Sequence, residues 1–111
     1  MKTELKHFTI AGRGFGFSRG WGNGYVVLPI GHSQHGKGYD EIPVDVHGGL
    51  TFAEVVDDYM LEWSGGILTE EDLGKYVVGF DTGHYGDNEA KWSETEVNKE
   101  TIHLKTQLEK L

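Results

Sequence analysis

Apolar residues fall in short blocks through the first eighty positions and settle into a helical repeat only near the C-terminus. Residues 6–10 alternate apolar with polar and β-branched side chains, which predicts a strand. Residues 25–30 form a continuous apolar run stopped at Pro29, a second strand. Residues 42–47 set Ile42, Val44 and Val46 against Pro43, Asp45 and His47, the period-two pattern of a half-buried strand. Gly48-Gly49 then predicts a turn, with residues 50–52 returning as a hairpin partner. Val55, Val56, Tyr59, Met60 and Trp63 recur at three and four residues, favouring a short helix within 53–63. Residues 69–72 read as a capped helical turn, and residues 76–80 as another strand.

The last element has the most complete signature. Ser93 and Glu96 form a capping box, and Val97, Thr101, Leu104, Leu108 and Leu111 then repeat along one face. Lys105 and Lys110 near its end suit the helix dipole. Together these elements predict an α+β fold: a small, mostly antiparallel sheet of four to five short strands with a C-terminal amphipathic helix packed on it. A helix–helix contact between two copies is the rival use of that stripe. The chain reads as a single domain of 111 residues. It divides into a glycine-rich N-terminal segment (6–24), a strand-rich core (25–87) and the helix (93–111).

Composition narrows the chemistry. The chain has no cysteine, which excludes disulfides, thiolate metal sites and thiol nucleophiles. Its apolar runs are too short to span a bilayer, and no apolar stretch follows the first lysines as in a signal peptide. A cytoplasmic protein is the expectation. The formal net charge of −8 opposes binding to a long nucleic acid. Only two arginines occur, Arg13 and Arg19, and both lie in the glycine-rich segment. That segment suits a small local anion: glycine exposes backbone amides, arginine binds phosphate bidentately, and Phe15, Phe17 or Trp21 can stack a ring. It has neither a dinucleotide fingerprint nor a Walker lysine.

Two polar segments after strand-like runs mark the candidate site. One carries His47 before Gly48-Gly49; the other carries Asp81, His84 and Asp87. Imidazole and carboxylate are ligands for divalent transition metals, so these four residues are a candidate metal set. They lack a recognised zinc spacing. The same residues can serve as a histidine base oriented by aspartate, or can simply fix loop backbone. His32 and His35 form a second His-x-x-His pair in a glycine-bearing loop. Tyr39-Asp40 could close over the site as a lid, with Lys37 a spare phosphate contact. No serine occupies a nucleophile elbow. Asp57-Asp58 and Glu70-Glu71-Asp72 read as solvated charge runs.

Three blocks carry a resemblance. Gly24-Tyr25-Val26-Val27-Leu28-Pro29 precedes Gly31-His32 and Gly36-Lys37-Gly38-Tyr39-Asp40. Val44-Asp45-Val46-His47-Gly48-Gly49-Leu50-Thr51-Phe52 is the most specific block. Val78-Gly79-Phe80-Asp81-Thr82-Gly83-His84-Tyr85-Gly86-Asp87 is the third. With the C-terminal helix they cover about residues 24–111, and this stretch resembles a family of small phage and prophage proteins. The chain departs from that pattern at Ser33, where proline is common, and at Thr82, where cysteine is common. A role needing that thiol is therefore excluded. The resemblance implies a context, a phage accessory protein in a bacterial cytoplasm, rather than a reaction.

The leading expectation is a binding protein for a small phosphorylated or nucleotide-like ligand, with a homo-oligomer interface as one place to hold it. Such a protein would sequester a host defence signal. Arg13 and Arg19 would meet phosphates, Trp21 would stack, and His47, Asp81 and His84 would fix polar groups. Two alternatives belong to other classes. One is a phosphoesterase or related hydrolase with a divalent metal on His47, Asp81, His84 and Asp87. The other is an acidic inhibitor of a host enzyme.

Overall fold

In the computed structural model, which describes residues 4–12, 20–84 and 86–111, the two most apolar runs form the middle of one antiparallel sheet. Strands β1 (Lys6–Ala11), β2 (Gly22–Leu28), β3 (Phe52–Val55) and β4 (Tyr76–Phe80) lie in the order β1-β2-β4-β3. Strands β2 and β4 are covered on both faces, which is why their sequences run apolar without alternation. Val26, Leu28, Val78 and Phe80 feed one core; Tyr25, Val27 and Val77 feed the other. Helix α2 (Glu94–Glu109) closes the first face with Val97, Leu104 and Leu108. Helix α1 (Asp58–Trp63) and Leu68 close the second around Met60 and Val56. The fold is thus α+β, with the C-terminal helix packed on a four-stranded sheet. Ser93 caps α2 by accepting from the Glu96 amide at 3.4 Å. Leu111 lies past the helix end and is exposed.

The alternating segment 42–47 is not a strand. Ile42, Val46 and Leu50 are buried in the α2-side core, but the backbone beside them bonds to α2 side chains instead of a ladder. The Asp45 amide donates to Gln107 Oε1 at 2.7 Å, Gln107 Nε2 donates to the Asp45 carbonyl at 2.7 Å, and the His47 amide donates to Glu100 Oε2 at 2.7 Å. Alternation reported which side chains are buried; the helix satisfies the groups a neighbouring strand would have taken. No hairpin follows. Gly49 donates to the Val46 carbonyl in a turn with φ of +69° and +79° at Gly48 and Gly49, and Phe52 pairs with Gly79 of β4. Residues 53–63 divide between β3 and α1, and Asp57 caps α1 by accepting from the Met60 amide at 3.0 Å.

The 31–40 loop is structural. His32 Nε2–H donates to the Leu108 carbonyl at the end of α2, and His35 Nε2–H donates to the Gly74 carbonyl, each at 2.9 Å. The two histidines point at different partners and make no pair. Tyr76 Oη donates to the Lys37 carbonyl at 2.6 Å. That anchors the loop at the start of β4, about 16 Å along the strand from Asp81, which sets the Lys37 end of the loop away from Asp81.

Asp72 corrects the reading of residues 70–72 as solvated charge. It is 3 % exposed and accepts from Lys6 Nζ at 2.8 Å, the Thr69 amide at 2.9 Å and Lys75 Nζ at 3.2 Å. Burial pushes its carboxyl up, but the two ammonium groups and the amide outweigh that and lower it from 3.8 to about 2. Its stabilisation is therefore full above pH 3.8 and disappears as pH falls through about 2. Asp72→Asn should lower stability by about 1–2 kcal/mol at neutral pH, the two lysines being partly solvated. Urea denaturation near pH 2 should then show variant and wild type nearly equal.

Candidate functional site

Sheet geometry delivers both polar segments to one end of the molecule. Phe80 ends β4 opposite Gly24 of β2, and the chain then runs through Asp81 and Thr82. Thr82, buried, donates its hydroxyl to the Gly22 carbonyl at 2.6 Å, and the Gly20 amide donates to the Thr82 carbonyl at 2.8 Å. The Trp21 amide donates to the Trp92 carbonyl at 2.7 Å. These bonds lock the approach to β2 against the loop and against the residue before the α2 cap. A Cβ at Gly20 would collide with Thr82 and come within 2.8 Å of Trp92 Cβ, so only glycine fits this seam.

His47 reaches the same end because its amide is tied to Glu100 while the neighbouring Val46 is buried. Its Nε2–H donates to both oxygens of Asp87, at 2.9 and 3.0 Å. The Asp87 carboxylate also accepts from the His84 amide at 2.9 Å, and the Asp87 amide donates to the His84 carbonyl at 2.9 Å. One carboxylate thus orients the ring of His47 and closes the 84–87 turn. The His47 ring lies on Trp92, with centroids 4.2 Å apart and planes 33° apart; His84 stands edge-on to it at 5.6 Å. His84 Nε2 is 3.2 Å from Asp81 Oδ1, but the approach lies outside hydrogen-bond geometry. The nitrogen is buried with no hydrogen bond among the described residues. Gly48 faces the His84 ring so closely that a Cβ there would overlap it.

His47, Asp81, His84 and Asp87 therefore come together: His47 is hydrogen-bonded to Asp87, and His84 lies close to Asp81 without a hydrogen bond to it. Among the described residues no three histidine, aspartate or glutamate side chains converge as a metal-holding group. The reason is visible in the donors: Asp87 is turned onto His47 and the His84 amide, and Asp81 Oδ1 accepts from the Gly83 amide at 3.0 Å. Trp21 is half-buried against the α2-side core. Arg13 and Arg19 lie outside the described residues; the described chain stops at Gly12, whose amide donates to the Trp21 carbonyl at 2.7 Å, and resumes at Gly20. Sequence reasoning missed Trp92, the ring on which His47 rests, and the seam made by Thr82. No spacing in the chain marks Trp92. Thr82 carried a signal, a threonine inside a loop directly after a buried strand.

No helix among the described residues is long and apolar enough to cross a membrane. No family model matches the chain, and no curated protein and no solved structure matches it.

Proposed function

We propose that the His47 end of the sheet binds a small phosphorylated or nucleotide-like ligand, and that the protein is a phage accessory factor of the bacterial cytoplasm that sequesters such a signal. The observation that carries the reading is the junction of a carboxylate-oriented histidine, an aromatic wall and the glycine seam. His47 is fixed by Asp87 and backed by Trp92, while its Nδ1 has no hydrogen bond among the described residues. The Asp81 side chain, 37 % exposed, can accept from a ribose hydroxyl or a base N–H. Arg13 and Arg19 are assigned the phosphate contacts on their chemistry, as the two arginines of an otherwise acidic chain.

Calorimetry against cyclic and linear nucleotides tests this. Saturable binding of at least one is expected, weakened roughly a hundredfold or more in Arg13→Ala/Arg19→Ala because two bidentate phosphate contacts are lost. Affinity unchanged in that variant would end the phosphate role. A second reading, hydrolysis of the ligand, is favoured by one feature alone, the His47–Asp87 pair, which is the geometry of an oriented general base. Chromatography of the nucleotide after incubation separates the two: intact ligand supports sequestration, and cleaved ligand supports the hydrolase.

A further inference from the structure

A groove of about 260 Å³ opens on the sheet face opposite α2, lined by Phe52, Glu54, Asp57, Tyr59, Met60 and Trp63. It runs beside β3, the outermost strand of the sheet on that side. Alternate residues of an edge strand turn their N–H and C=O groups away from the sheet and leave them for another chain. The side chains at this edge are unusually apolar for an open surface: Tyr59 is 74 % and Val55 47 % exposed. Phe52 and Trp63 stack at 5.7 Å in the groove wall. Its charge has one sign. Glu54 and Asp57 line it, Asp58 and Glu62 belong to the same helix, and none of the four forms a salt bridge among the described residues. The neighbouring cation, Lys75, is held by Asp72.

We propose that β3 and this groove receive an extended segment of a partner protein that adds a strand to the sheet and places an arginine or lysine in the groove. Three aromatic rings and two carboxylates around a space of side-chain size are the surroundings that attract a cationic side chain. Ladder bonds to β3 supply sequence-independent affinity, and the groove supplies the preference for a basic residue. A second copy of this chain is a poor occupant. Antiparallel pairing of two β3 edges about a two-fold axis would bring Glu54 and Asp57 of one copy toward the same acids of the other. None of the residues that line the groove belongs to the His47 group, and the proposal does not depend on what binds there.

The probes are pools of terminally blocked, dye-labelled hexapeptides that fix arginine or glutamate at a middle position and mix the remainder. Fluorescence anisotropy should show the arginine pools binding about tenfold or more tighter than the glutamate pools. Glu54→Lys should erase that preference, and Tyr59→Ala should weaken the arginine pools; both side chains are exposed, and thermal melts confirm that the fold persists. N-methylation of the peptide amides should abolish binding. Equal binding of arginine and glutamate pools, binding that survives N-methylation, no binding of any pool at millimolar protein, or a dimer in sedimentation that Tyr59→Ala dissociates would each overturn the proposal.

Discussion

Asp87→Ala should destabilise the domain by about 2–3 kcal/mol, since one charged acceptor serves two donors there. The His47 ring loses both of its contacts to the carboxylate, and the His84 amide loses its partner. The Asp87 side chain is 6 % exposed, so water does not simply replace it. The melting temperature should fall by roughly 10 °C or more. Asp87→Asn retains one acceptor oxygen but presents an amino group to one of the two donors, and should lie between the alanine variant and wild type. His47→Ala relieves one donor only and should cost less than Asp87→Ala. If Asp87→Ala melts like wild type, the carboxylate does not organise this end of the molecule.

Gly24→Ala should lower stability by about 3 kcal/mol, at the upper end of ordinary overpacking. Gly24 lies in β2 opposite Phe80 and directly under α2. An added Cβ would collide with the Thr101 hydroxyl and come within 2.6 Å of the Phe80 ring. Neither neighbour yields easily. Thr101 is fully buried with its hydroxyl donating to the Val97 carbonyl at 2.7 Å, and Phe80 is 1 % exposed. The helix must therefore move outward, loosening Val97, Leu104 and Leu108 together. Thr101→Ala removes the colliding atom, so the double variant should be more stable than the sum of the two single losses predicts. Additive losses would show that Gly24 is not the point where α2 meets the sheet.

The elements legible in the sequence were those whose pattern has one physical source. Tyr76–Phe80 and Glu94–Glu109 lie where apolar continuity and a capped 3.6-residue repeat put them. Residues 42–47 read as a strand because period two reports burial of alternate side chains, and a segment lying along a helix can bury alternate residues without joining a ladder. Its ladder was replaced by Gln107 and Glu100, which no local pattern connects to Asp45 and His47. The site was legible in part for the same reason. His47, Asp81, His84 and Asp87 stood out as polar residues at the ends of apolar runs. Their pairing depends on β4 crossing between β2 and β3, which is a tertiary fact. Asp72 reads as one more acid in an acidic run until Lys6, far away in sequence, is seen above it.

Ring resonances of the six histidines, followed by ¹H–¹³C spectroscopy while a nucleotide that binds in calorimetry is added, test the central claim most directly. His47 and His84 should shift saturably with the indole of Trp92, because they form one contact group. His32 and His35 should stay still, because they are bonded to the Leu108 and Gly74 carbonyls at the other end of β4. Shifts confined to His32 and His35, or a saturating ligand that leaves His47, His84 and Trp92 unmoved, would contradict the assignment of the site.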